Sequence, residues 1–263
     1  MFNFHVAQSL TFSTVVTILL VLTDYGFCMN FKSINASLAG GFASAVATWY
    51  GDPNGSGSAG GACGFENDVA NPTYNSLISA GNQNLFKYGK GCGACYEVKC
   101  TQNAQCSGSP IKVTITDECP GACNNDAVHF DLSGKAFGYL AKPGQADALR
   151  KLGRITIEYQ RVQCSYNARL TFKIDKGLNP YYLAFAIEYL SGDGEIGSVE
   201  ISSSNSNGWK AAQQSFGATW KVDLPSGIRG PYSVRVTTLE SKTTTVAQNV
   251  IPANWAPGQY YHI

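Results

Sequence analysis

The side chains best equipped for chemistry in this sequence are Asp117 and Asp131, carried by Thr116-Asp117-Glu118-Cys119 and by His129-Phe130-Asp131-Leu132. Each closes a run with strand-like alternation. Ile111, Val113 and Ile115 share one face of the first run, and the period of two carries Asp117 onto that face at its end. His129 and Asp131 share a face opposite Val128, Phe130 and Leu132. A carboxylate on an otherwise apolar face is costly to bury alone, so both acids are expected at an open mouth or beside a hydrogen-bond partner. Two acids near one groove point to polysaccharide chemistry or its remnant. Asp117 has an ordinary alternative as a brace for the adjacent loop, and His129 has one as a satisfied structural histidine.

The elements that must position these acids lie in a chain of 263 residues with a formal charge of +1 and no long basic tract, a balance that argues against nucleic acid. Residues 1–28 hold an apolar core, Val15 to Leu22, too short to span a bilayer and arranged like a secretory signal. No membrane segment is expected after it. Cleavage near Cys28 leaves Cys63, Cys92, Cys95, Cys100, Cys106, Cys119, Cys123 and Cys164, an even set suited to oxidation outside the cell. In that setting Asn35-Ala36-Ser37 and Asn54-Gly55-Ser56 are glycosylation sequons, making Asn35 and Asn54 the candidate acceptors.

None of these cysteines follows residue 164, and this divides the chain. A flexible N-terminal segment is expected over 29–44, a compact barrel over 45–165, a short linker at 166–169 and an all-β sandwich over 170–263. Strand patterns occur at Tyr96 to Cys100, Ile111 to Asp117, Val128 to Leu132 and Arg154 to Val162, with short helices at Ser133 to Ala141 and Gln145 to Leu152. Beyond Leu170 the alternation continues through Phe172, Ile174, Leu183, Phe185, Ile187, Val199, Ile201, Val234 and Val236.

Several motifs stand in order along the chain: Thr48-Trp49-Tyr50-Gly51, Gly60-Gly61-Ala62-Cys63-Gly64, Gly91-Cys92-Gly93-Ala94-Cys95-Tyr96-Glu97-Val98-Lys99-Cys100, Thr116-Asp117 and His129-Phe130-Asp131-Leu132-Ser133-Gly134. Asn179-Pro180 before Tyr181-Tyr182, and Val250-Ile251-Pro252-Ala253-Asn254-Trp255, continue the series. Together they resemble the plant β-expansins, the branch that includes the group-1 grass pollen allergens. The resemblance implies a mainly β molecule: a six-stranded double-psi β-barrel related to family-45 glycoside hydrolases, then an immunoglobulin-like β-sandwich that binds carbohydrate. It also implies the disulfides Cys63–Cys92, Cys95–Cys164 and Cys100–Cys106, leaving Cys119 to pair with Cys123. Residues alone leave the pairing open. Cys92-Gly93-Ala94-Cys95 also has the spacing of a redox or zinc half-site, but few histidines accompany it, and structural bridging is the expected role.

An inverting glycosidase needs a protonated acid and a carboxylate base on opposite sides of the sugar. Asp131 matches the acid of the related hydrolases. Their base follows a motif like Thr48-Trp49-Tyr50-Gly51; expansins are held to lack a working base, yet Asp52 directly follows that motif here. Asp52-Pro53-Asn54-Gly55 is also a ready turn. The resemblance implies polysaccharide contacts at Thr48, Trp49, Tyr50, Lys142, Arg161, Tyr182 and Phe216, with Phe where Trp is usual at the last position, while Trp220 and Trp255 are expected in the core. The expectation is a secreted, monomeric, cofactor-free and metal-free protein of the plant cell wall. It would loosen the wall without hydrolysis, on xylan-like matrix glycans or cellulose. A weak endoglycanase using Asp131 with Asp52, and a purely binding wall module, are the alternatives.

Overall fold

The computed structural model describes residues 41–177, 182–205, 208–224 and 229–263. The signal segment, the Asn35 sequon and the Asn179-Pro180-Tyr181 turn lie outside the described residues.

Strands β1 (Ala43–Tyr50), β2 (Ile78–Gly81), β3 (Cys95–Lys99), β4 (Ile111–Glu118), β5 (His129–Ser133) and β6 (Ile155–Val162) close into a barrel in the order β1–β5–β2–β4–β3–β6. The β1–β5 and β2–β4 pairs are parallel and the others antiparallel. This is the expected six-stranded barrel. Its interior is filled by alternate residues, including Ala47, Val113, Ile115, Phe130, Leu132 and Ile157, all essentially inaccessible to water. Fully burying each large member of this set contributes roughly 1.5–3 kcal/mol. The small Ala45 and Ala47 of β1 leave room for the rings of Tyr96, Phe130 and Tyr159, which meet edge-on or tilted.

The two helices predicted after β5 form as α2 (Gly134–Tyr139) and α3 (Ala146–Arg150), preceded in the chain by the one-turn α1 (Gln83–Phe86). Ser133 caps α2: its Oγ accepts from the Ala136 amide at 3.0 Å and donates to the Ser76 carbonyl. Phe137 and Leu140 then drop into the barrel core. Two departures from the sequence reading follow from pairing. Strand β1 takes in Ala43 and Ser44, the last two residues of the segment 29–44 expected to be flexible, because they pair with Tyr159 and Glu158 of β6. Strand β2 carried no recognisable pattern: all four of its residues are buried, so nothing alternates.

The second half is a sandwich of two antiparallel sheets. One has the order β10 (Lys210–Ala211), β9 (Ile196–Ser203), β13 (Tyr232–Thr238), β14 (Thr244–Ile251); the other runs β11 (Gln213–Phe216), β12 (Thr219–Asp223), β8 (Tyr182–Glu188), β7 (Thr171–Ile174), β15 (Tyr260–His262). Phe172, Phe185, Val199, Val234 and Trp220 fill the space between them, with Trp255 half-buried at the margin.

Barrel and sandwich belong to one compact unit. A third apolar cluster built on Phe65, Tyr74, Ile78 and Phe86 includes Ala218 of the sandwich, whose amide donates to the Cys63 carbonyl at 3.0 Å. The joint is tight at Gly217, which has φ +50°; a Cβ there would lie 2.3 Å from the Ala62 carbonyl oxygen. Only glycine meets both demands. Buried Glu195 of the sandwich receives Lys87 at 3.0 Å and Arg161 at 3.4 Å from the barrel side. The disulfides are Cys63–Cys92, Cys95–Cys164, Cys100–Cys106 and Cys119–Cys123, the pairing that the family resemblance implied.

Candidate functional site

The two acids are brought together by strand register. In the parallel pair β1–β5, Thr48 lies opposite Asp131. Across the antiparallel pair β5–β2, Asp131 lies opposite Ala80, and across β2–β4 Ala80 lies opposite Asp117. Thr48, Asp131, Ala80 and Asp117 therefore form one row over four strands, with side chains on the outside of the barrel. Strand spacing sets the Cα atoms of the two acids about 10 Å apart, and the methyl group of Ala80 keeps the ground between them low.

Asp117 reaches this row through a bulge. Ser79 pairs with Ile115, but the next residue, Ala80, pairs with Asp117, leaving Thr116 as the extra residue in β4. Simple alternation put Asp117 on the face of Ile115. The bulge turns it instead to the face of Asp131, which corrects the sequence reading. Once there, its Oδ1 accepts from the amides of Ala62 at 2.7 Å and Glu118 at 2.8 Å. The loop at Gly61 can come this close because it has no side chain: a Cβ would sit 2.7 Å from the Thr116 carbonyl oxygen and 3.2 Å from the Asp117 carboxyl carbon. Asp117 thus braces a loop and also presents charge to the row.

Asp131 is half-buried. Burial pushes its carboxyl up from the usual range; a Thr48 hydrogen bond and the His129 ring pull it down, and the Asp117 charge pushes it up, with the net shift upward. Thr48 Oγ1 lies 2.5 Å from Asp131 Oδ1 and 2.8 Å from His129 Nε2. His129 Nδ1 meets Asp126 Oδ2 at 2.7 Å, and Arg154 forks onto Asp126 with Nη2 at 2.7 Å and Nη1 at 3.0 Å. Those partners, Arg154 first and His129 second, hold Asp126 down at about 2. The phenol of Tyr50 is pushed well up by burial and by the charges of Asp117 and Asp131, so it stays protonated beside them.

Other expected site residues are placed as follows. Tyr50 lies on the face of Thr48. Trp49 does not: alternation sends it inward with Ala45 and Ala47, where it packs against the core and its indole N–H donates to the Arg150 carbonyl at 3.0 Å. Arg161 is corrected too. It continues the inward face of Ile157 and Tyr159, is 8% exposed, stacks 5.0 Å over Tyr96 and donates to the Asp193 carbonyl, so it fastens the joint rather than lining a groove. Lys142 is exposed, and its Nζ donates to the Ala104 carbonyl beside the Cys100–Cys106 loop. Asp52 opens an exposed turn closed by the Gly55 amide on the Asp52 carbonyl at 2.9 Å. Asn54 is exposed in the same turn.

The sandwich adds a second row. Phe216 lies opposite Thr219, Thr219 opposite Ala186, Ala186 opposite Lys173 and Lys173 opposite Tyr260, spanning all five strands on the face away from the sandwich core. Tyr182 shares that face, separated from Ala186 by Ala184 on the same strand. Phe216 is 51% exposed, and its ring lies against Gly64 of the barrel. A cleft of about 220 Å³ opens at this junction, lined by Gly60, Gly61, Gly64, Lys173, Phe216 and Thr219. The Gly60–Gly64 loop therefore touches Asp117 at one end and Phe216 at the other, linking the two rows. Sequence reasoning missed Ala80, Asp126, Arg154, Lys173 and Tyr260; of these, only Asp126, three residues before His129, had a local signal.

Comparison with known proteins bears on this arrangement. A family model for the expansin C-terminal domain matches residues 170–252, and one described as lytic transglycolase matches 78–159. The chain is 48% identical to putative expansin-B2 of Arabidopsis thaliana, over 98% of this chain and 95% of that one, and 47% identical to expansin-B4 of the same plant, over 97% of each. It is 45% identical to expansin-B1 of Zea mays, over 87% of this chain and 85% of that one. Among solved structures, the apo expansin of Clavibacter michiganensis superposes with a TM-score of 0.61 at 22% identity, covering 85% of this chain and 96% of that one. A mutant of that bacterial protein in complex with cellohexaose superposes at 0.63 with 21% identity and the same coverage. Identities of 43–48% to B-type members over most of the chain, with both halves of the fold in place, settle the family: this chain belongs to the expansins, in the expansin-B group.

Proposed function

We propose that this protein is secreted into the plant cell wall and loosens it without hydrolysis. It would bind an extended polysaccharide, a xylan-like matrix glycan or cellulose, along the surface that joins the two rows. The observation that carries this reading is the continuity of the Asp131–Asp117 row with the Phe216–Tyr182 face through the glycine loop. A polymer laid there meets one acid able to exchange hydrogen bonds, then a flat aromatic surface of the kind on which sugar rings stack. Tyr50, Tyr182 and Phe216 are the stacking candidates, and Thr48 acts through Asp131.

Hydrolysis would need a free base to activate water. Asp117 has one carboxylate oxygen committed to two backbone amides, and Asp52 opens an exposed turn closed on its own carbonyl. Loosening then consists of exchanging polymer–polymer contacts for polymer–protein contacts. The described cysteines are all paired, in keeping with an oxidising compartment, and Asn54 is open to glycosylation there. The protein is proposed to act as a monomer.

The test is creep of heat-inactivated wall strips under constant load at mildly acidic pH, with the bath assayed for reducing ends. Extension without new ends is the expected result. Extension with new ends that vanish in Asp131→Asn and Asp52→Asn variants would replace this reading with a hydrolase.

A further inference from the structure

The hydrogen-bond chain behind Asp131 has a minimum proton count that its own geometry sets. Asp126, held ionised by the Arg154 fork, can only accept. His129 Nδ1, at 2.7 Å from Asp126 Oδ2, must therefore carry a hydrogen. The other ring nitrogen faces Thr48 Oγ1 at 2.8 Å, and the same oxygen faces Asp131 Oδ1 at 2.5 Å. A threonine hydroxyl has one hydrogen. If His129 Nε2 and Asp131 were both bare, Thr48 could serve only one, and two acceptors would face each other at hydrogen-bonding distance. Both contacts therefore need at least one proton on the Asp131–His129 pair, and one is enough.

That proton has two resting places. In one, an imidazolium Nε2–H donates to Thr48, whose hydroxyl donates to an ionised Asp131. In the other, protonated Asp131 donates to Thr48, and the Thr48 hydroxyl donates to Nε2 of a neutral ring. Passing from the first to the second moves the Nε2 hydrogen to Thr48 Oγ1 and the Thr48 hydrogen to Asp131 Oδ1. No bond between heavy atoms changes, and the number of protons is conserved.

We infer that His129 is a positioning residue which stores, 2% exposed and behind Thr48, the proton that Asp131 presents to the polymer, so that the two titrate as one unit. This rests on the proposed function for what the proton is used for, but not for its existence. The sequence order supports it physically: His129 and Asp131 share one face of β5, and β1 supplies Thr48 opposite Asp131. The other groups facing the relay are few. From β4 comes the Asp117 charge, from β1 the Tyr50 phenol, from the loop after β4 the Cys119 sulfur, disulfide-bonded and 3.8 Å from Asp131 Oδ2, and from β2 only Ala80. Asp126 and Arg154 complete the far end. Among the described residues, Thr48 is the hydroxyl that touches both His129 and Asp131.

The experiment is NMR titration of the His129 ring nitrogens and the Asp131 carboxyl carbon in wild type, Thr48→Val and Thr48→Ser, with creep measured over the same pH range. The expected result is a common midpoint for both reporters in wild type. In Thr48→Val the midpoints separate by about one pH unit or more, as coupled sites do when uncoupled, and the creep profile moves with Asp131; Thr48→Ser restores both. Separate midpoints in wild type overturn the inference, and this holds even if Thr48→Val fails to fold. Reporters unmoved by Thr48→Val overturn it as well. Coupled titration in a protein that causes no creep at any pH would uphold the relay and defeat the proposed function instead.

Discussion

The outer face of the barrel and the outer face of the sandwich's five-stranded sheet are both built as rows of cross-strand neighbours, yet they are furnished differently. The barrel row sets two acids and a threonine over a buried histidine, each tied to a named partner. In the sandwich row Phe216 is exposed, Thr219 and Ala186 are buried, and the charged member, Lys173, is occupied by Asp68 at 2.7 Å and Glu66 at 3.1 Å. One face is arranged to control a proton, the other to expose the ring of Phe216 at the junction. Division of labour between the two sheets is the lesson: adhesion needs area and tolerates little charge, whereas hydrogen-bond exchange needs few groups held in register.

The largest effect is expected where the two faces are joined. Gly217→Ala forces a side chain into a left-handed conformation against the Cys63 backbone, and stability should fall by about 3 kcal/mol or more in guanidinium unfolding. Creep and wall retention should fall together; a variant as stable as wild type would show that the joint does not fix the two rows. Next comes the contrast itself. Asp131→Asn should cut creep by about tenfold to a hundredfold, the range of one strong hydrogen bond, while retention on insoluble wall polymer stays within about twofold. Equal loss of both would merge the two roles. Phe216→Ala should do the reverse, weakening retention by about tenfold through the lost stacking and leaving the pH profile of the remaining creep unchanged.

The smallest effect concerns the brace behind the barrel row. Asp126 is held at about 2, below its ordinary value, by Arg154 and His129. A depressed carboxyl stabilises the fold above its unfolded value and loses that contribution as pH falls toward 2. Asp126→Asn should therefore flatten the drop in melting temperature between pH 4 and 2, with a slightly lower melting temperature at pH 7. An unaltered acid limb would remove Asp126 from the brace.

Much of this was legible in the residues. Alternation placed β3 to β6 and the inward Phe130 and Leu132, and put His129 and Asp131 on one face, because side-chain direction in a strand depends only on counting. The helix after Ser133 was visible from its apolar spacing. The disulfide pairing came from the family resemblance, since spacing alone cannot choose among partners.

What counting could not supply is which strands lie side by side. The row Thr48–Asp131–Ala80–Asp117 joins residues far apart in sequence through parallel pairs and one bulge, and the bulge reverses the face of Asp117. Trp49 and Arg161 turned inward because barrel closure gave their faces a core and a buried counter-ion. The sequence by itself determined which residue types were available and which way each points along its own strand. Tertiary structure alone decided which of them meet, since register between strands is set by core packing and pairing over the whole barrel rather than by any local run.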